Sequence, residues 1–558
     1  MSLFRTTTFA SRRCIPRWRG RPISIQHGQD WAPIFNAEEI EPPAGPKTFE
    51  DIGLRSSVVK AARSAFPSLE LPTETQCRLI PAINEGKDVI LADDTGSGKS
   101  LGIVLGLLNK PRLRFNDKKT GKPRKSLSIT SLLLVPHRDL ANQLFLWIQR
   151  MSQSSQTTPA KISSIAQVLT RDDAKQTQAM IDDLRADPPH ILIATPQVLL
   201  DVIKKAPDAI PLHEISTVVL DEIDYLVEAV TRYDKPTFKQ KLDMKKQQKK
   251  LDKHPSASTL LLDSIYQRED AVERTDKPQL IVSSATLRRS LNRHLLYDSG
   301  WMENSENTVF LRGEKFSSST ALNRGLGGGD VHHSVVVVRG DECVNIEEAL
   351  PGPKGAPVVE HADTEDAVEI DSTDEARRKY HMTPSPFDQQ VFEAISVAFA
   401  LDVPSVALLV LDASAPVQRA VHDLQSLGVN AVQLDVADTD RGRTHLLNHG
   451  RDATAFRTNP VLLVCNRATF RGLDLPELTH VFITGLFKDQ MNGAVVDEYL
   501  QIAGRVGRFG RGGKVVTFIK ENDVTAKEGL DSSARQVKTA LYTLKDVGVK
   551  PVRFEHFD

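Results

Sequence analysis

The sequence has few cysteines and no long apolar run, and each shortage excludes a class of protein. The four cysteines, Cys14, Cys77, Cys343 and Cys465, lie far apart with no C-x-x-C spacing. Neither a zinc site nor a disulfide framework is therefore expected. No apolar stretch approaches the roughly 18 residues that a membrane span requires. At 558 residues, with 26% charged residues, the composition is that of a soluble globular protein and the length predicts two domains.

Acidic residues are missing from the first 29 positions, which instead carry six arginines and many hydroxyl residues. This composition is typical of a mitochondrial transit peptide, so we predict residues 1–29 as that segment, 30–45 as an N-terminal extension, and the mitochondrial matrix as the location. A basic disordered tail is the alternative. Removing six positive charges takes the formal charge from −1 to −7. Any nucleic acid must then bind in a local basic groove.

Two series of short, β-branched apolar runs alternate with stretches of helical length. Near-continuous apolar strands alternating with helices predict parallel sheets covered on both faces, so we expect two α/β domains. The first series comprises 88–91, 131–135, 191–194, 217–220 and 280–283, and the second comprises 334–338, 406–411, 460–465, 480–484 and 513–519.

Composition predicts the borders between these domains. A Gly/Ser-rich linker at 313–330 separates a first domain, 46–312, from a second, 331–558. An insertion at about 228–278 in the first domain is rich in lysine, and one at about 341–384 in the second is acidic. The lysine-rich segment is interpreted as a solvated helix face or, alternatively, as an arm that contacts RNA phosphates. The acidic segment is interpreted as a disordered spacer.

A phosphate-binding loop is predicted where an apolar strand ends and an apolar helical pattern begins. Backbone N–H groups in such a loop favour an anion, Lys99 would reach the β- and γ-phosphates of ATP, and Ser100 could ligate Mg²⁺. The predicted ATP-binding residues of this loop are Thr95, Gly96, Ser97, Gly98, Lys99 and Ser100.

The same loop carries two unexpected aspartates, Asp93 and Asp94, the first of them where the generic pattern has glycine. A carboxylate about 6 Å from a phosphate would cost on the order of 1–3 kcal/mol at an effective dielectric near 20. We therefore expect Asp93 to point aside or to cap a nearby N–H group.

Carboxylates end a second apolar strand, at Asp221 and Glu222. At a strand tip beside a phosphate loop, Asp221 is placed to hold Mg²⁺. Glu222 could orient or deprotonate the attacking water. Together the two motifs predict nucleotide hydrolysis.

These motifs resemble those of superfamily 2 helicases and, within them, the DEAD-box RNA helicases. Residues 221–224, D-E-I-D, are similar to D-E-A-D, and further family motifs occur in family order. These are P-T-E-T-Q at 72–76, P-H-R-D-L-A at 136–141, T-P-Q-V at 195–198, S-A-T at 284–286, F-R-G-L-D at 470–474 and Q-I-A-G-R-V-G-R at 501–508. The resemblance implies two RecA-like domains in tandem that close over ATP and RNA.

The resemblance also implies roles around the nucleotide. Phe49 would stack on adenine and Gln76 would read its edge, since a ring offers a π-face and a carboxamide matches adenine's donor and acceptor. Asp474 would hold the ribose. Arg505 and Arg508 would be arginine fingers from the opposite domain, which stabilise charge on the transferred phosphoryl group.

Further roles concern RNA and its coupling to ATP. Contacts with RNA would be mostly to the backbone, hence sequence-tolerant and sensitive to salt. The RNA-binding residues implied are Pro136, Arg138, Thr195, Pro196 and Arg471, and the coupling residues are Asp224, Ser284 and Thr286.

Several positions differ from the motifs of the family that the chain resembles, and they cluster among the RNA and coupling positions. The family arginine is Val198, the family aspartate is Arg467, and the family histidine–arginine pair is Gln501-Ile502. The function predicted is that of an ATP- and Mg²⁺-dependent RNA helicase resembling the fungal mitochondrial branch, with mitochondrial RNA and ribosome assembly factors as partners. The changed positions motivate an alternative, an ATP-gated RNA clamp with little unwinding. A DNA helicase is a third interpretation, disfavoured by the adenine segment.

Overall fold

A computed structural model shows how much of this organisation forms. It describes residues 47–112, 129–153, 161–171, 174–230, 237–267, 277–302, 307–313, 331–340, 342–352, 380, 382–434, 460–475, 478–486, 493–507, 512–521 and 532–558. The predicted transit peptide and N-terminal extension lie outside these residues, as do nearly all of the linker and most of the acidic segment.

The first sheet has seven parallel strands in the order β3-β4-β2-β5-β6-β1-β7. Its central strands are apolar and buried along their length, as expected for a sheet covered on both faces. The strands are β1 Asp88–Ala92, β2 Ser131–Leu134, β3 Ala166–Leu169, β4 Ile191–Ala194, β5 Thr217–Asp221, β6 Gln279–Ser284 and β7 Thr308–Arg312.

The second sheet also has seven strands, in the order β11-β12-β10-β13-β14-β8-β9. All neighbours are parallel except β8 and β9, which pair antiparallel. The strands are β8 Val331–Arg339, β9 Glu342–Asn345, β10 Val406–Leu411, β11 Ala431–Gln433, β12 Val461–Asn466, β13 Leu478–Thr484 and β14 Gly513–Lys520. The predicted fold of two parallel-sheet α/β domains is confirmed.

Helices cover both sheets. In the first domain they are α1 Ser56–Ala65, α2 Glu74–Asn84, α3 Lys99–Asn109, α4 Arg138–Gln153, α5 Ile162–Ile165, α6 Ala174–Ala186, α7 Pro196–Lys205, α8 Ile223–Leu226, α9 Phe238–Lys253, α10 Ala257–Tyr266 and α11 Arg289–Arg293. In the second they are α12 Gln389–Asp402, α13 Val417–Ser426, α14 Gly493–Ala503 and α15 Ser532–Val547. Among the described helices, none is long and apolar enough to cross a membrane.

All ten strands expected from the sequence form, and four more were missed: β3, β7, β9 and β11. These four are the two edge strands of each sheet. An edge strand has one neighbour and is only partly covered, so its residues need not be continuously apolar. In β7, for example, buried and partly exposed residues alternate.

The predicted lysine-rich insertion contains two unlike helices. Helix α9 has no buried residue. Helix α10 instead buries Leu261, Leu262 and Ile265 in the core of the first domain, where it contacts α7. The surface segment is therefore narrower than 228–278, because α10 is an integral part of the domain.

Candidate active site

The phosphate-binding loop joins β1 to α3 at the carboxyl edge of the first sheet. Two glycines in it have left-handed backbones, with φ of 84° at Gly96 and 89° at Gly98. Gly98 caps α3, and a Cβ there would lie 2.7 Å from the Gln76 amide nitrogen. The backbone at both positions and the close contact at Gly98 favour glycine. The loop is followed directly by the N-terminus of α3, where free N–H groups favour an anion.

Asp93 does not face the space in front of this loop. Its carboxylate accepts hydrogen bonds from the backbone N–H of Asp94, at 2.7 Å, and from the Thr75 hydroxyl. The side chain is buried. The expectation that Asp93 caps a nearby N–H group is confirmed, and its negative charge is partly compensated by two donors.

Lys99 closes the loop from inside. Its Nζ donates to the carbonyl oxygens of Asp93, at 2.7 Å, and Asp94, at 2.5 Å. Burial lowers the pKa of Lys99, while the nearby carboxylates, led by Glu222, oppose that shift. A bound phosphate would therefore compete with these two carbonyl oxygens for the ammonium group.

Oxygen ligands meet where α3 begins and β5 ends. The Ser100 hydroxyl donates to Asp221 Oδ2 at 2.7 Å, and the Ser283 hydroxyl donates to Asp221 Oδ1. A hydroxyl and a carboxylate are hard oxygen ligands of the kind Mg²⁺ prefers, and Mg²⁺ usually keeps several waters beside one or two carboxylates. Ser100 and Asp221 together fit such an ion.

Glu222 has an unusual backbone and environment. Its φ is 58°, and it is the one residue other than glycine with positive φ in the described part of the chain. Such conformations cluster at functional sites. Burial, followed by the charges of Asp224 and Asp221, raises the pKa of Glu222 to about 7. Its Oε2 atom is buried without a hydrogen-bond partner among the described residues.

Gln76 joins α2 to the loop. Its Oε1 accepts from the Thr73 N–H at 3.0 Å in a capping box, and its Nε2 donates to the Gly98 carbonyl at 3.2 Å. The Thr73 hydroxyl donates to the Ser97 carbonyl at 2.8 Å. The amide therefore positions the phosphate loop and offers its second Nε2 hydrogen to a ligand.

A cavity of about 290 Å³ brings these residues together with residues of the second domain. The first domain contributes the loop, Gln76 and Glu222, together with the rings of Phe66 and Trp147. The second contributes four residues to the lining. They are Gly472, Asp474, Arg505 and Gly507. A cavity with phosphate-binding, oxygen-ligand and aromatic parts matches the parts of a nucleoside triphosphate.

The prediction that Phe49 stacks on adenine is wrong. Its side chain is 1% exposed and packs inside the core, so neither face of the ring can receive a base. Phe66 lines the cavity instead and meets Trp147 edge-on, with ring centroids 6.2 Å apart. Phe66 lies ten residues before Gln76, but the sequence does not show which of the two rings is buried in the core.

The second domain is held against the loop by direct contacts. The Thr95 hydroxyl donates to the Gly504 carbonyl at 3.2 Å, and the Asp474 N–H donates to Gln143 Oε1 at 2.8 Å. Arg505 is buried, and its Nη1 donates to the Leu473 carbonyl at 2.7 Å. Arg508, the other predicted finger, lies outside the described residues.

A second group of contacts across the interface centres on Asp224. Its carboxylate accepts from the hydroxyls of Ser284 and Thr286, both at 2.8 Å, and from Gln501 Nε2 at 3.2 Å. Gln501 also donates to the Thr286 hydroxyl at 3.1 Å. The three predicted coupling residues thus touch one another, and Gln501, a changed family position, connects them to the second domain.

Arg471 belongs to this group rather than to an RNA-facing surface, which corrects its predicted role. It is 8% exposed, its Nη1 lies 3.5 Å from Asp224 Oδ2, and its guanidinium lies over the Tyr225 ring. Glu498 bridges Arg471 to Arg467, with a 2.8 Å contact to Arg467. The reversed charge at Arg467 is therefore matched by an acidic partner.

The remaining RNA candidates lie at the carboxyl edge of the first sheet. Pro136 follows β2, Arg138 begins α4, and Thr195 and Pro196 begin α7. Val198, which replaces the arginine of the family motif, is part of α7 and is buried in the core of the first domain. This position therefore cannot supply the phosphate contact that an arginine would make.

Two family models match the chain. The DEAD/DEAH box helicase model matches residues 73–294, and the helicase conserved C-terminal domain matches residues 407–510. Mouse probable ATP-dependent RNA helicase DDX28 is 28% identical over 228 residues, 39% of this chain and 40% of that protein. ATP-dependent RNA helicase MAK5 of Lodderomyces elongisporus is 24% identical over 534 residues, 94% and 55% of the two chains. The chain thus spans about half the length of these curated relatives.

Solved structures agree in fold. Dbp5 of S. cerevisiae, bound to RNA and ADP BeF3, aligns with a TM-score of 0.53 at 16% identity, covering 91% of this chain and 95% of that one. At this identity the likeness concerns the fold alone. The two family models together span more than half of the 558 residues. The fold of two RecA-like domains agrees with both matches. The chain belongs to the DEAD-box family of ATP-dependent RNA helicases.

Proposed function

We propose that this protein hydrolyses ATP in the cavity between its two domains and uses the closure of those domains to separate RNA strands locally. The observation that carries the proposal is that one cavity is lined by Lys99 and Glu222 from the first domain and by Asp474 and Arg505 from the second. The site is complete only when both domains contribute their residues. Hydrolysis therefore requires the two domains to close on each other.

Each residue has a role that follows from its position. The loop N–H groups and Lys99 bind the phosphates, and the Lys99 ammonium exchanges its two carbonyl acceptors for phosphate oxygens. Ser100 and Asp221 would hold Mg²⁺, which when bound neutralises charge on the phosphates. Glu222 orients and deprotonates the attacking water, and Arg505 stabilises the charge that develops on the transferred group.

The base and sugar are bound at the other end of the cavity. We propose Phe66 as the aromatic platform for adenine, because its ring lines the cavity. Gln76 reads the adenine edge with its remaining Nε2 hydrogen, and Asp474 accepts from the ribose hydroxyls. The buried aromatic pair of Phe66 and Trp147 keeps the platform fixed.

RNA binding is coupled to this cavity through Asp224. A carboxylate that accepts from three groups across two domains can keep all of its hydrogen bonds only when the domains are together. Domain closure therefore forms the hydrogen bonds of Asp224 and brings Arg505 to the cavity in the same movement. Reopening after hydrolysis breaks these hydrogen bonds and withdraws Arg505. Pro136, Arg138, Thr195 and Pro196 offer the RNA-facing contacts at the same edge of the sheet.

The full chain should show ATP hydrolysis that single-stranded RNA stimulates, and Lys99→Ala should abolish it. The expected loss is at least about 10²-fold, because the phosphates lose their only buried ammonium partner in the described cavity. Phosphate release is measured with and without RNA. Lys110→Ala is the matched control, since this partly buried lysine follows the same helix but bonds Thr217 and Gln279 away from the cavity.

Two results would contradict the proposal. Turnover unaffected by Lys99→Ala would place hydrolysis elsewhere. Binding of ATP and RNA without hydrolysis would favour the ATP-gated clamp, the alternative that the changed positions Arg467 and Gln501 motivate. A larger stimulation by DNA than by RNA would favour a DNA helicase.

We also propose the mitochondrial matrix as the place of action, in RNA metabolism or ribosome assembly, with mitochondrial RNA and assembly factors as partners. The support is the arginine-rich, acid-free composition of residues 1–29 and the family resemblance. A fluorescent reporter fused behind residues 1–35 should enter mitochondria. The same fusion with the six arginines changed to glutamine should stay in the cytosol, and a cytosolic signal from the unaltered fusion would refute the proposal.

A further inference from the structure

Helix α9 lies on the surface of the first domain. None of its 16 residues is buried, and it carries seven lysines and only two aspartates. Within the part of the chain that the structure describes, none of these lysines forms an ion pair. Several lysines follow one another at four-residue spacing, as in Lys245 and Lys249, and like charges at this spacing destabilise a helix.

The helix nevertheless forms, because its start is well specified. Thr237 and Gln240 make a capping box, in which the Thr237 hydroxyl accepts from the Gln240 N–H and the Gln240 side chain accepts from the Thr237 N–H. The capping box thus stabilises a helix whose lysines outnumber its acidic residues. An anion bound to this helix would neutralise part of the excess positive charge.

The charge is concentrated on one face. At 100° per residue, the half-buried side chains Gln240, Met244, Gln247 and Leu251 share one side. The opposite side carries two exposed apolar side chains, Phe238 at 85% and Leu242 at 45%. It also carries five exposed lysines and one aspartate, Asp252, so its net charge is strongly positive. The lysines are Lys239, Lys245, Lys246, Lys249 and Lys253.

The insertion that carries this lysine face joins the domain at the edge of the sheet where the RNA-binding candidates lie. Helix α9 is inserted between α8, which follows the carboxyl end of β5, and α10, which contacts α7. The Ser256 hydroxyl donates to the Leu226 carbonyl at 3.3 Å, so the two ends of the segment that contains α9 lie next to each other on the domain. Helix α7 itself begins at Thr195 and Pro196.

Two positions of the family motifs do not supply a phosphate contact in this chain. Val198 is buried where the family has an arginine, and Arg471 is engaged with Asp224. We infer that the lysine face of α9 binds the sugar–phosphate backbone of RNA and supplies affinity that these two positions do not. Lysine ammonium groups neutralise phosphates without reading sequence, so the contact is sequence-tolerant. This inference rests on the proposed RNA binding.

The test compares two sets of three lysines in the full chain. Lys246, Lys249 and Lys253 are changed together to glutamine, and exposed Lys538, Lys545 and Lys550 near the C-terminus form the charge-matched control. Binding of fluorescein-labelled oligouridine is measured by anisotropy between about 50 and 200 mM KCl. Helix content and thermal midpoint are checked by circular dichroism.

The α9 variant should bind RNA about tenfold more weakly, and its slope of log affinity against log salt should be shallower by about 2, since each lost single-strand phosphate contact removes about 0.7. The control should keep the wild-type slope, and ATPase without RNA should be unchanged in both. Equal slopes in the α9 variant and wild type would overturn the inference while leaving the proposed function standing.

Other outcomes are also decisive. An equal loss in both variants would reduce the effect to net charge and overturn the assignment to α9. Lysine-dependent binding of phosphatidylglycerol vesicles, with an unchanged RNA slope, would make a lipid surface the partner instead. If the wild-type chain bound no oligouridine at all, the proposed function would fail, and the inference with it.

Discussion

Glu222→Gln should lower RNA-stimulated ATP turnover by about 10²- to 10⁴-fold, the usual contribution of a general base. Glutamine keeps the size of the side chain but cannot take a proton from water. The structure places Glu222 in the cavity with a buried, unpartnered Oε2, and burial raises its pKa to about 7. Phosphate release under saturating ATP and RNA measures the effect.

Binding should survive this substitution, because the phosphates are held by the loop and Lys99 rather than by Glu222. Affinity for a fluorescent ATP analogue should therefore change far less than turnover. Glu214→Gln is the matched control, since Glu214 is also a buried carboxylate of the first domain but does not line the cavity. A variant that keeps wild-type turnover, or a control that loses as much, would remove Glu222 from the role of base.

The order of the strands explains which parts of the fold were predictable. Strands such as β4 and β5 are buried on both faces, and such burial selects continuous apolar runs that stand out in the sequence. The missed strands β3, β7, β9 and β11 are edges, where one neighbour and partial exposure relax that selection. β11, three residues long, has too few positions for any pattern.

The residues of the candidate site also differ in how far their positions could be predicted. Some are placed by the sequence next to them, and others by packing between distant parts of the chain. The positions of Lys99, Ser100 and Asp221 at one edge of the first sheet were predictable, because a strand end, a loop and a helix start fix each of them within a few residues. The burial of Phe49 was not predictable, because the choice between Phe49 and Phe66 as the ring at the cavity depends on how α1 packs. A ring in the core and a ring at the cavity look alike in a sequence.

Changed family positions show the limit of motif comparison. Gln501 differs from the expected histidine, yet its amide reaches both Asp224 and Thr286. Arg467 reverses a charge, yet Glu498 and Asp412 accept from it, each at 2.8 Å. In the sequence, these changes motivated the alternative of an ATP-gated RNA clamp with little unwinding. The structure shows that hydrogen-bonding capacity is retained with different residues.

Arg505→Lys should lower turnover by about 10³-fold or more, as expected for an arginine finger. Lysine keeps the charge but loses the planar fork that spans several phosphoryl oxygens. Arg505 reaches the cavity from the second domain and is fixed by a 2.7 Å bond from its Nη1 to the Leu473 carbonyl. Single-turnover hydrolysis measures the chemical step free from product release.

The split between binding and chemistry decides whether Arg505 acts as a finger or only joins the domains. A finger acts on the transition state, so Arg505→Lys should reduce the hydrolysis rate while RNA affinity in a nonhydrolysable ATP analogue stays within a few-fold of wild type. Arg419→Lys controls for a buried arginine of the same domain away from the cleft, where Arg419 bonds Asp423. If RNA affinity and the rate fell together, Arg505 would be a structural contact of the closed state.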